Sequence, residues 1–151
     1  MKSLAAGVLA GTVGTAALNI ATYADISVRG RPASDLPARA AGVWAARLGL
    51  PLGDEETAAH RREGLGALFG YATGVATGVG YGLMRAGRRD TRRSWDGVLL
   101  GLAAMVLADS SLVAMGLTGP RSWGVAGWLS DLLPHAAYGY AAVATYAAAR
   151  G

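Results

Sequence analysis

Four windows of this sequence are long enough, and apolar enough, to cross a bilayer. A spanning helix needs about 20 mostly apolar residues, because the hydrocarbon layer is about 30 Å thick and a helix rises 1.5 Å per residue. Residues 4–23 are 20 in a row without a charge, and 65–84 are another 20. Residues 97–118 are 22 with one charge, Asp109, and 132–149 are 18 with none, although they include Pro134 and His135. The sequence therefore predicts an all-α, polytopic membrane protein of four transmembrane helices. Charged types make up only 16% of the 151 residues, against about 25% in typical soluble domains. With no cysteine, disulfides, thiolate metal sites and thiol catalysis are excluded. The first window exceeds the usual apolar core of a secretory signal, about 7 to 15 residues, and is read as a span.

Orientation follows from arginine. The connection after the second window holds Arg85, Arg88, Arg89, Arg92 and Arg93 against one acid, Asp90. Short loops this dense in arginine stay cytoplasmic, which predicts both termini inside, in a bacterial plasma membrane. Lys and Arg in total divide evenly, seven to each side with this cluster included, because the first loop carries Arg29, Arg31, Arg39, Arg47, Arg61 and Arg62, and the last loop Arg121; only local density breaks the tie. The inner cluster would face anionic headgroups, so the net charge of +4 points to the lipid bilayer as a partner and not to nucleic acid.

The first loop, 24–64, is long. Residues 34–49 read as a short interfacial helix, with Ser34 as cap, Pro37 in the first turn, and Gly49 and Pro51 as stops. Leu36, Ala40, Val43, Trp44 and Leu48 share one broad face of it, which predicts Trp44 as a headgroup anchor with Arg47 snorkelling. Gly53 and Asp54 then open a second helix, and Asp54, Glu55 and Glu56 suit its positive end. No breaker intervenes before Met84, so this helix is expected to run unbroken into the second span, about 45 Å in all. The run Arg29-Gly30-Arg31-Pro32 matches the core of a minor-groove-reading arm, but between two spans it reads as a polar turn near lipid phosphates.

The second span carries Gly66, Gly70, Gly74, Gly78 and Gly82, one every four residues. Small residues let helix backbones approach closely, and in lipid such packing replaces the missing hydrophobic drive. Gly7 with Gly11, and Gly97 with Gly101, repeat the spacing in the first and third spans. The ridge requires a partner. That partner is either another helix of the same chain or a second copy or larger membrane protein.

Two sets of polar residues stand out. Asp109 lies in the middle of the third span, followed by Ser110 and Ser111, and an intramembrane acid is a functional candidate by default. Asn19 and His135 lie toward the outer ends of their spans. An Asn19–Asp109 hydrogen bond is expected from their depths, and Tyr138, Tyr140 and Tyr146 offer further hydroxyls. The plain alternative is interhelical glue. At the outer surface Glu56, His60 and Glu63 share a helix face, and Asp131 and His135 stand one turn apart. These are weak metal candidates: such pairs are ordinary helix stabilisers, and Arg61 and Arg62 would repel a cation. No cofactor and no catalytic residue is expected, since no phosphate loop, nucleophile elbow or HExxH motif occurs.

Residues 11–37, GTVGTAALNIATYADISVRGRPASDLP, carry a resemblance through Gly11, Gly14, Thr15, Asn19, Arg29, Arg31 and Pro32. The stretch resembles small four-span membrane proteins of high-GC, actinobacterial-type bacteria. More distantly it is similar to the YagU-like inner-membrane proteins, which share glycine-rich spans and an Arg-Pro after the first. The resemblance implies a bacterial inner-membrane location and carries no activity. The functional expectation is a non-enzymatic packing, assembly or accessory role built on the glycine-ridge helix. The alternative is a small transporter, or a proton or cation pathway, using Asp109.

Overall fold

The computed structural model describes residues 2–87 and 95–151. Among these are five α-helices and no strand: α1 (Ser3–Arg29), α2 (Leu36–Arg47), α3 (Glu55–Met84), α4 (Asp96–Ala114) and α5 (Val125–Arg150), with a 3-10 turn at Pro120–Ser122. The all-α expectation holds. Two of the helices, α1 and α4, are long and apolar enough to cross a membrane.

Helix ends follow local chemistry. Asp54 caps α3, its Oδ1 accepting from the Thr57 N–H at 2.8 Å, and the helix then runs unbroken for 30 residues, as the absence of a breaker predicted. α1 continues past the expected 23 to Arg29 and stops where Gly30 turns left-handed at φ 62°. α4 ends at Ala114, short of 118, with Gly116 left-handed at φ 71°. α5 begins at Val125, a full seven residues before 132, and contains Pro134 within it.

The contacts fix the directions. On α1 and α3, Gly7 lies against Gly78 and Gly11 against Gly74, so the two helices are antiparallel. Tyr138 reaches Gly74 and Tyr146 reaches Gly82, so α5 runs parallel to α3. Gly101 sits against His135 and Gly97 against Tyr140, which makes α4 antiparallel to α5. The four long helices thus alternate up and down. One end, the near end, holds Lys2, Arg150 and the α3–α4 connection. The far end holds α2 and the α4–α5 connection. α1 packs on α3 and α5, α5 packs on α1 and α4, and α4 meets α3 only lightly.

The core is mostly small residues and tyrosine. Ala6, Ala10, Ala104 and Ala142 are buried with Tyr81, Tyr138 and Tyr146 and with Leu100 and Val143, and among the described residues Tyr138 is the one large side chain that is fully enclosed. Many large aliphatic side chains point outward instead: Leu9 and Ile20 on α1, Leu68 and Leu83 on α3, Leu102 and Val106 on α4, and Leu133 on α5 are all exposed.

The glycine ridge is largely taken up inside this bundle. A methyl group built on Gly11 would lie 2.7 Å from the Val75 Cα, and one on Gly82 would lie 2.6 Å from the Ser3 carbonyl oxygen. Gly74 and Gly78 are likewise closed off by Thr15, Gly7 and Gly11 of α1. Gly66 faces the first turn of α2, where its Cβ would lie 2.6 Å from the Pro37 carbonyl carbon. Gly70 alone of the five has nothing within 4 Å.

α2 docks through a face rotated from the expected one, of whose residues only Ala40 is buried. Ala40, Ala41 and Ala45 are buried, whereas Trp44 and Leu48 are exposed. Small residues win this position because α2 meets α3 where Gly66 allows backbone to touch backbone. Arg47 stacks over Trp44, 5.6 Å from its ring centre. The Arg29-Gly30-Arg31-Pro32 run is a clasp on the end of α1: Arg29 and Arg31 each meet Asp25 Oδ2 at 2.6 Å, and Arg29 also reaches Ser130 of α5.

Candidate functional site

The site around Asp109 is assembled by α4 and α5. Close approach of these two helices rests on glycine. A Cβ on Gly101 would lie 2.5 Å from the His135 carbonyl oxygen, and one on Gly97 would lie 2.6 Å from the Tyr140 ring. With the backbones this near, the antiparallel register carries Asp109 to Asp131. Their carboxyl groups are near enough to each other to interact. His135, one turn on from Asp131, closes the group: its Nδ1 is 3.1 Å from Asp131 Oδ1 and 2.9 Å from the Asp131 carbonyl oxygen. Both of these partners are acceptors, so Nδ1 carries the proton and donates.

The group is sheltered. The His135 side chain is 12% exposed and that of Asp131 25%. Asp109 Oδ2 and Asp131 Oδ2 are both buried with no hydrogen-bond partner. An ionised carboxylate only accepts hydrogen bonds, so two facing carboxyls bond to each other only when one of them is protonated. Two like charges at this separation also disfavour each other strongly. The arrangement therefore suits a pair of carboxyls that share one proton, with an imidazole N–H fixing one of them in place.

Other candidates are placed elsewhere. Asn19 does not meet Asp109: its Nδ2 donates to the Tyr71 hydroxyl at 3.2 Å. Similar depth was not enough, because α1 packs on α3 and α5 and does not face α4. The hydroxyl of Ser110 turns back to the Leu107 carbonyl at 3.4 Å and that of Ser111 to Ala108 at 2.7 Å, so neither joins the acid. Glu56, His60 and Glu63 are exposed on α3, apart from Asp131 and His135. Among the described residues no group of three or more His, Cys, Asp or Glu side chains is placed to hold a metal ion.

Of the basic cluster, Arg85 is described, and Arg88, Arg89, Arg92 and Arg93 lie outside the described residues. Arg85 bridges to Asp96 at 3.1 Å and stacks on Tyr81 at 5.8 Å, while the Tyr81 hydroxyl donates to Asp96 Oδ2 at 3.5 Å. Tyr81 meets Tyr146 edge to face at 5.2 Å. This near-end network ties α3, α4 and α5 together.

Asp131 is the residue that reading the sequence undervalued. It was paired with His135 along one helix but not with Asp109 across two. The signal was present in Gly97, Gly101 and Gly139. Small residues on two adjacent helices mark their contact line, and in an antiparallel pair that register brings positions 109 and 131 to within a turn of each other. The chain matches no family model, and no curated protein or solved structure is similar to it.

Proposed function

We propose that this chain is a four-span integral membrane protein of a bacterial plasma membrane, without enzymatic activity, that binds and releases a proton at Asp109, Asp131 and His135. Its spans are α1, α3, α4 and α5, and its near end is cytoplasmic. The inverted side-chain distribution supports a membrane setting: alanine and glycine dominate the interior, and apart from Leu100 and Val143 the large aliphatic side chains mostly face out. In lipid, helices associate through small residues because the surroundings are as apolar as leucine. α3 and α5, at 30 and 26 residues, have the length to span, and the up-and-down order gives four crossings. The resemblance of residues 11–37 to four-span inner-membrane proteins agrees with this.

The observation that carries the reading is that the neighbouring acids Asp109 and Asp131 each hold a buried Oδ2 with no hydrogen-bond partner. Loss or gain of the proton they share changes the charge within the bundle, which is what a proton relay requires. The test is reconstitution in liposomes loaded with a pH-sensitive dye. A pH step should drive proton entry faster than in empty liposomes, and Asp109→Asn should remove the difference. Proton entry equal to that of empty liposomes, with the protein folded and inserted, would refute the reading.

A second reading is a packing or accessory role with a second copy or a larger membrane partner. Gly70, the ridge position with nothing within 4 Å, favours it. Native mass spectrometry of detergent-extracted protein tests it: a defined oligomer or a co-purifying membrane protein supports assembly, and a bare monomer counts against it.

A further inference from the structure

α3 and α4 are successive helices, yet they leave an open seam between them. A groove of about 400 Å³ runs along it, walled by Ala76, Gly80 and Met84 on α3 and by Leu100, Ala103 and Leu107 on α4. Polar atoms along it are already engaged. The Thr77 hydroxyl donates to the Thr73 carbonyl at 2.8 Å, and the Tyr81 hydroxyl to Asp96. The groove thus offers an apolar ligand a fitted wall and offers a polar one nothing. Its near-end mouth lies at Met84, beside Arg85; its other end reaches Leu107, two residues before Asp109.

Charge distinguishes the two ends of the molecule. Among the described residues, the near end carries three basic residues, Lys2, Arg85 and Arg150, against one acid, Asp96. At the far end and toward it, seven basic residues are matched by eight acids. A ligand with an apolar tail and an anionic head therefore has one favourable direction, with the tail in the groove and the head at the near end.

We propose that the α3–α4 groove holds one acyl chain of an anionic phospholipid whose headgroup sits at the Arg85 end. The inference rests on the membrane reading above. Selection comes from the head and not from the tail, because an acyl chain entering the groove leaves surroundings equally apolar. Attraction of basic residues to anionic headgroups supplies the preference, and the groove supplies the shape that retains one molecule. A single added side chain obstructs the groove. Gly80 has nothing within 4 Å of its Cβ position and Ala103 is exposed on the facing wall, so leucine at either site enters the groove without displacing a helix.

The test is native mass spectrometry of the full chain in mild detergent, supplied with phosphatidylglycerol or phosphatidylcholine of the same acyl chains. One phosphatidylglycerol should be retained, at roughly fivefold the occupancy of phosphatidylcholine. Gly80→Leu and Ala103→Leu should each bring that occupancy down to the phosphatidylcholine level, with helicity unchanged by circular dichroism. Equal retention of the two lipids, or both variants binding as the parent does, overturns the proposal. So does a dimer that Gly80→Leu dissociates with no lipid retained, since the occupant would then be a second copy. Extraction of membranes with alkaline carbonate separates the two levels of the argument. Protein released without detergent refutes the membrane reading itself, whereas protein that stays with the membrane but shows no lipid selection refutes the groove proposal alone.

Discussion

The hydroxyl of Tyr138 donates to the main-chain carbonyl of Gly74 at 2.6 Å, joining two parallel helices through the middle of the bundle. Glycine makes this possible twice. Gly74 exposes its carbonyl by having no side chain, and Gly14 on α1 leaves room for the ring, since a Cβ there would lie 2.9 Å from it. Two turns on, Tyr146 repeats the arrangement on Gly82 at 3.2 Å. Interhelical hydrogen bonds in membranes average about 0.6 kcal/mol and reach about 1.7. Tyr138→Phe is therefore expected to destabilise the bundle by about 1 kcal/mol, and Tyr146→Phe by less because its bond is longer. Unfolding by sodium dodecyl sulfate in mixed micelles measures both. An unchanged midpoint for Tyr138→Phe would show that the bond contributes nothing.

The five ridge glycines are not equivalent. A side chain at Gly78 meets the Gly11 backbone first and then the Gly7 carbonyl oxygen at 2.6 Å, and backbone cannot step aside. Overpacking of this kind costs about 1 to 3 kcal/mol, occasionally more, so Gly78→Leu should lower stability by about 3 kcal/mol or prevent folding. Gly70→Leu meets nothing within 4 Å and should leave the monomer's stability unchanged or raise it slightly, since glycine lowers helix propensity. The pair measured in the same micelles gives a difference in which general effects of leucine cancel. Equal losses at the two positions would place the ridge at some other contact.

How much of this was readable in advance depends on the length scale of the signal. The helix order, the unbroken α3 and the Asp54 cap were legible because each rests on neighbours in sequence. The existence of the ridge was legible too, but not which glycines meet which helix, because α1 and α2 choose among them only in three dimensions. α2 was read by the face of Leu36, Ala40, Val43, Trp44 and Leu48; the structure buries Ala40 of that face together with Ala41 and Ala45 and leaves Trp44 and Leu48 exposed. Hydrophobic pattern predicts burial when water drives packing; where Gly66 invites backbone contact, smallness decides. The Asn19–Asp109 pairing failed for a related reason. Depth in a bilayer gives one coordinate, and which helix adjoins which gives the other.

The capped end of α3 should respond to acid. The Thr57 N–H bonded to Asp54 holds its carboxyl below the ordinary value of 3.8, because the hydrogen bond favours the ionised form. A group whose pKa is lowered in the folded state contributes stability above its unfolded value and loses that contribution as pH falls through the folded one. The first turn of α3 should therefore stay closed at neutral pH and loosen below about pH 4. Asp54→Ala should open it at all pH values. Amide exchange at Thr57 and the next residues reports this, and slow exchange in Asp54→Ala at neutral pH would assign the capping elsewhere.

Asp109 and Asp131 are two carboxyls with different neighbours, and their amide variants should differ accordingly. Asparagine at 109 can donate an N–H to Asp131 in place of the shared proton, while Asp131 keeps its 3.1 Å contact with His135. Asp109→Asn should thus fold with stability within about 1 kcal/mol of the parent, yet lack the protonated carboxyl. Asparagine at 131 instead takes the carboxylate from His135 Nδ1 and leaves Asp109 facing an amide, so Asp131→Asn should be the less stable of the two. Infrared difference spectroscopy detects a protonated carboxyl by its carbonyl stretch. The parent should show this band, sensitive to bulk pH, and Asp109→Asn should lack it. A parent spectrum with no such band between mildly acidic and mildly alkaline pH would mean that the two carboxyls do not share a proton, and the proton-binding reading would fall with it.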